Sequence, residues 1–171
     1  MSALIVLPKE QIGYLRDEKV FFNVDRRRSR FANGFVDLER EVWLTLGVLG
    51  ESQEDLGPRP GFVGVKGYWA ICGRSTPPMG YEEGDFDYLE ITVDYRDPQS
   101  SLPKSLGGVS GGGVWQIPLR RLQSGEIEPE ECLLSGVAFY QTAIEDGVRF
   151  LRCHGRRTVY VRVPEHVENA R

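Results

Sequence analysis

Apolar and polar positions divide this chain into many short runs punctuated by glycine and proline. Tyr88–Tyr95 (YLEITVDY) alternates with period two and predicts a strand with one buried face. Val114–Leu119, Leu133–Gln141, Val148–Cys153 and Thr158–Val163 are apolar runs rich in β-branched and aromatic residues, and each predicts a strand. A turn at His154-Gly155-Arg156 is expected to join the last two. Upstream, Ala3–Leu7 is stopped by Pro8, and Val20–Val24 forms a second short apolar run. Phe35–Leu49 contains the strand-like run VWLTLGVL, and Phe62–Gly73 predicts one bent strand with glycines at its bends. Gly50–Gly61, Ser75–Asp85 and 124–131 read as polar loops. Helix has room only as a short element at either end. The pattern is that of an antiparallel all-β protein, barrel or sandwich.

Composition agrees with this picture. The 171 residues suit one domain and suffice to bury a core without staples. The 20 glycines and 10 prolines fit a chain of many turns. A formal net charge of -4 gives no reason to expect a nucleic acid or an anionic membrane as partner. The basic cluster Arg26, Arg27, Arg28 and Arg30 has no aromatic stacking platform, so it is expected to be a solvated loop. Cys72, Cys132 and Cys153 are odd in number and match no zinc spacing. They predict reduced, mostly buried thiols in a reducing compartment, with no metal and no organic cofactor. The apolar start meets Pro8 without a basic leader, and no apolar run is long enough to span a bilayer. The expectation is a soluble cytoplasmic protein.

The candidate chemistry lies in Leu106-Gly107-Gly108-Val109-Ser110-Gly111-Gly112-Gly113-Val114-Trp115, where five glycines surround one serine. Glycine admits backbone conformations closed to other residues and lets another backbone or a ligand approach. Such a loop can aim N–H groups where negative charge will develop, while the serine offers a nucleophilic hydroxyl. A phosphate cradle would need a closing lysine and a following helix, and neither is present. Gly108, Ser110 and Gly112 also satisfy Gly-x-Ser-x-Gly, the α/β-hydrolase elbow, even with Asp146 and His154 following in order. That elbow must open a helix, whereas Val114–Leu119 reads as strand. An incidental serine in a glycine turn is the remaining alternative.

The loop resembles the Gly-x-Ser-Gly-Gly signature of trypsin-like (chymotrypsin-fold) serine proteases. Downstream, Leu134–Tyr140 resembles the strand that lines the family's specificity pocket, and Arg157–Val163 resembles its closing strand. Upstream, Ser2–Leu7 is similar to the strand that opens with the family's aspartate, and Trp43–Gly47 and Trp69–Gly73 would be second-barrel strands. The resemblance implies an antiparallel six-stranded-type barrel like the family's second barrel. Residues 51–171 would form it and residues 1–50 an irregular N-terminal segment of strands and linker, the whole being one compact unit. It implies Ser110 as nucleophile, the amides of Gly108 and Ser110 as oxyanion hole, and a substrate cleft lined by Ser135, Gly136, Val137, Ala138, Phe139, Tyr140 and Gln141.

Three departures accompany the resemblance. Val109 stands where the family usually has aspartate, Gly113 replaces a proline, and no histidine precedes His154. Without imidazole the hydroxyl is a weak nucleophile. His154 is expected to lie away from the serine, and His166 in a solvated tail. The chain is expected to begin at the aspartate strand with the first barrel missing. The implied function is a serine-protease-like hydrolase domain, inactive alone because the His and Asp of the triad are absent. Its partners would be a peptide or protein substrate and a second chain or segment supplying His and Asp. The alternative is a non-catalytic, protease-derived peptide-binding module.

Overall fold

The computed structural model describes residues 8–18, 24, 27–28, 41–49, 54–55, 65–66, 69–74, 78–98, 102–129 and 132–169. The alternating and apolar runs become strands at β1 (Glu41–Gly47), β6 (Phe86–Asp94), β7 (Gly113–Arg121), β9 (Leu133–Gln141) and β10 (Val148–His154). Shorter strands are β2 (Glu54–Asp55), β3 (Val65–Lys66), β4 (Trp69–Arg74), β5 (Met79–Glu83) and β8 (Ile127–Pro129). Helices stand at the two ends: α1 (Lys9–Glu18), and a π-helical stretch Thr158–Arg162 that runs on into α2 (Val163–Asn169).

Among the described residues the main sheet has eight strands, in the order β4-β1-β7-β9-β10-β6-β5, with β8 pairing beside β7. Every pairing in it is antiparallel. Because β1 pairs with both β4 and β7, the sheet crosses the expected segment boundary at residue 50. No pairing among the described residues joins β4 to β5. One face of the sheet carries the core: Trp43 from β1, Ile91 and Val93 from β6, Val114 from β7, Ala138 from β9, and Leu151 and Cys153 from β10. Leu49, just after β1, and Leu106 and Val109, from the segment before β7, complete it. Burial pushes the Cys153 thiol up to about 12, so it packs as a small hydrophobe.

Several expectations are corrected. Phe62–Gly73 is not one bent strand: Val65–Lys66 pairs with β2 in a separate two-stranded sheet, while β4 pairs with β1. The Gly50–Gly61 loop contains β2, Ser75–Asp85 contains β5, and 124–131 contains β8. β5 and β8 are solvated strands, which have no face to bury and so show no apolar alternation. Of the basic cluster, Arg27 and Arg28 are helical. Arg27 donates to the Cys132 carbonyl and Arg28 pairs with Glu168. Ala3–Leu7 and residues 20–23 lie outside the described residues.

The largest correction is at Thr158–Val163, expected as a strand and found helical. His154 is likewise not in a turn but ends β10. The cause is Asp87 of β6. Its carboxylate accepts the amides of Arg157 (2.9 Å) and Thr158 (2.7 Å) and the Thr158 hydroxyl (2.8 Å). Its own carbonyl accepts the Gly155 amide at 2.7 Å. An acidic side chain on the first free amides of a helix is an N-cap, here supplied from a distant strand. That tertiary cap outweighs the strand propensity of Thr-Val-Tyr-Val. Val159 and Tyr160 are then buried, and the Tyr160 hydroxyl donates to the Leu134 carbonyl at 2.9 Å.

Candidate functional site

The glycine loop is anchored from its middle. Val109 is buried in the core, while Gly108 and Ser110 on either side of it are exposed. Gly108 (φ 93°) and Gly111 (φ 86°) take left-handed conformations, which lets the chain reverse around that anchor. Val109 therefore has a packing role, where the trypsin-like pattern has an aspartate. Gly113, which replaces the family's proline, also has a local reason: a Cβ there would meet the Trp115 indole nitrogen at 2.6 Å.

Hydrogen bonding in the loop is selective. The Gly107 amide donates to Ser105 Oγ (3.0 Å), Val109 to the Leu106 carbonyl (3.1 Å), Gly111 to the Ala138 carbonyl (2.8 Å) and Gly112 to the Val109 carbonyl (2.8 Å). The Gly112 carbonyl accepts the Ala138 amide at 2.9 Å, docking the loop onto β9. Among the described residues, the amides of Gly108 and Ser110 donate to nothing in the chain. The Ser110 hydroxyl donates to the Phe139 carbonyl at 3.3 Å.

That carbonyl is available because β9 carries a bulge there. Arg152 pairs with Tyr140 and Cys153 with Ala138, so Phe139 is the extra residue. A second bulge lies between Val114 and Trp115, opposite which Ser135 is the extra residue. The two bulges divide the predicted lining. Ser135 is 0 % exposed and donates to Gln116 Oε1 and the Leu133 carbonyl, away from any cleft. Gly136 and Ala138 are buried and Val137 is half-buried. Phe139, Tyr140 and Gln141 do line a cleft of about 340 Å³, together with Ser110, Leu106, Gly107 and Leu151. Leu106 and Leu151 had no signal beyond being apolar, and the bulge that exposes Phe139 left no mark in the sequence.

His154 lies closer to this cleft than the turn assignment implied. Its ring stacks on the Phe139 ring at 4.5 Å between centroids and lies 5.4 Å from Tyr88. Burial lowers its pKa below the ordinary 6.5, an effect that the charge of Asp87 opposes. Its Nδ1 is buried without a hydrogen-bond partner. The Ser110 hydroxyl is bonded to the Phe139 carbonyl rather than to this imidazole. Ser2–Leu7, likened to the aspartate strand, lies outside the described residues. Among the described residues no cluster of three or more His, Cys, Asp or Glu side chains is placed to hold a metal ion, and no helix is long and apolar enough to cross a membrane.

Chemically, the arrangement offers an exposed hydroxyl, two unengaged amides two residues apart, and an adjoining cleft with aromatic walls. No family model, curated protein or solved structure matches the chain.

Proposed function

We propose that this chain is a trypsin-like hydrolase domain, its antiparallel sheet a derivative of the family's second barrel. In this reading the glycine loop binds the carbonyl of an extended peptide substrate. The peptide lies along Phe139 and Tyr140, Ser110 is the nucleophile, and the amides of Gly108 and Ser110 hold the oxyanion. One observation carries the reading. Among the described residues, four of the loop's amides find acceptors in the chain, and the two that flank the exposed serine's anchor, Val109, do not. Amide donors left open beside a nucleophile are what oxyanion stabilisation requires.

The same reading makes the chain inert alone. Ser110 has a carbonyl, not a base, as its hydrogen-bond acceptor, and a serine without a general base attacks slowly. A second chain or segment would supply His and Asp. A fluorophosphonate probe tests this. The isolated chain is expected to label slowly at Ser110 and not to turn over peptide esters, and a His-bearing fragment is expected to raise both rates. Turnover by the purified chain that Ser110→Ala abolishes would show that a base is already present. The pure binding module is the second reading, favoured by the aromatic lining that Phe139 and Tyr140 give the cleft, with the Tyr88 ring 6.0 Å from that of Phe139. It predicts peptide binding that Ser110→Ala leaves unchanged and no labelling under either condition.

A further inference from the structure

The resemblance assigns Gln141 to the substrate, but both the oxygen and the nitrogen of its side-chain amide are engaged elsewhere. Its Oε1 accepts the Leu106 amide at 2.8 Å and Arg149 Nη1 at 2.6 Å. Its Nε2 donates to Ser105 Oγ at 3.3 Å, the same hydroxyl that accepts the Gly107 amide. Arg149 Nη1 also donates to the Lys104 carbonyl at 3.2 Å, and its guanidinium lies 5.8 Å from the centroid of the Tyr95 ring. Tyr95 donates its hydroxyl to the Pro103 carbonyl at 3.0 Å. Thus the end of β9, the start of β10 and Tyr95 after β6 all grip residues 103–107.

The grip continues into the loop. Leu106, held by Gln141 through its amide, offers its carbonyl to the Val109 amide, and the Val109 carbonyl takes the Gly112 amide. A run of hydrogen bonds therefore leads from Arg149 through Gln141 to the peptide units on either side of Gly108 and Ser110. Among the described residues the amides of both donate to nothing in the chain, so their orientation is set by their neighbours. We propose that Gln141, held by Arg149, is a positioning residue that fixes the glycine loop, and so the direction of the two open amides, rather than a substrate contact. Its functional consequence rests on the reading of those amides as an oxyanion hole, whereas the clamp itself does not.

Amide-resolved hydrogen exchange on the full chain tests the clamp. Gln141→Leu keeps the bulk and removes every bond, and Arg149→Met keeps the stem over Tyr95 and removes the donors. Each is expected to speed exchange at Val109 and Gly112 by about ten-fold, the scale of one or two lost hydrogen bonds. Val93 and Leu151 in the β6–β10 ladder should stay unchanged. The double variant should exceed neither single one, because the two side chains act through one chain of bonds. Gln141→Glu, which keeps both acceptor contacts, should restore protection. Unchanged loop exchange, equal acceleration in loop and ladder, or additive effects would overturn the proposal. If Gln141→Leu does not fold, Arg149→Met and Gln141→Glu still decide it. Fluorophosphonate labelling separates the two readings. If the parent chain labels, Gln141→Leu should slow it at least as much as it speeds exchange. If the chain labels neither alone nor with a His-bearing fragment while exchange behaves as expected, the clamp stands and the hydrolase reading fails.

Discussion

Two turns in this protein begin at a glycine and dispose of their amides in opposite ways. At the start of the C-terminal helix, the amides of Gly155, Arg157 and Thr158 all end on Asp87, and that of Val159 ends on the Gly155 carbonyl. In the loop before β7 the amides of Gly107, Val109, Gly111 and Gly112 are satisfied, while those of Gly108 and Ser110 are left to solvent. A turn whose donors converge on one distant residue serves the fold. A turn that is anchored in the core yet keeps two donors open at the rim of a cleft is suited to bind something from outside. On the proposed reading, that difference separates a structural glycine turn from one held for a ligand.

The comparison can be broken first at Asp87. Asp87→Ala removes three charge-assisted hydrogen bonds and leaves the helix start uncapped, and should cost about 3 kcal/mol in chemical denaturation. Helical signal should be lost before the sheet melts, and Asp87→Asn should recover part of the loss. If Asp87→Ala matched the parent chain, the cap would not be what turns Thr158–Val163 from strand to helix.

Within the glycine loop, neighbouring substitutions should differ. A Cβ on Gly112 would run into the carbonyl oxygens of Leu46 and Val109, so Gly112→Ala should cost about 2 kcal/mol and displace the loop from β9. Gly111→Ala has open space around it and only its left-handed backbone to strain, about 1 kcal/mol. Equal costs would mean that the loop does not pack on β1 as described.

A smaller effect follows from His154, which sits between the two turns. Its folded-state pKa is lowered by burial, so the unfolded chain binds the proton more readily. Stability is therefore complete above the ordinary 6.5, declines as pH falls through that value, and levels off below the folded-state pKa. Denaturation midpoints measured across that window should show the decline in the parent chain and lack it in His154→Phe, which keeps the ring stacked on Phe139. The smallest effect is expected at Ser110→Ala. The residue is exposed with one long hydrogen bond, so stability should change by less than about 0.5 kcal/mol. A large loss would mean that the hydroxyl serves the fold and is not held for a ligand.

Much of the sheet was legible one strand at a time. Leu133–Gln141 is a strand with those same bounds, and the alternation at Tyr88–Tyr95 falls within one residue of β6 at its C-terminal end. The glycine loop stood out by composition alone, and Phe139, Tyr140 and Gln141 border the cleft that adjoins it. Ser135 was misplaced because a bulge turns its side chain inward, and a bulge depends on the partner strand's register rather than on local pattern. β5 was read as loop because an edge strand in water need not alternate.

Local sequence thus determined that β1, β6, β7, β9 and β10 are extended, where the chain can reverse, and which serine is framed by glycines, since each follows from side-chain periodicity and backbone freedom within a few residues. Only the tertiary structure decided that Thr158–Val163 is helical, that Phe139 rather than Ser135 meets the cleft, and that Gln141 grips the loop. Each of those outcomes turns on a hydrogen bond or a strand register between residues far apart in the chain, and no local pattern encodes the acceptor that a distant strand will bring.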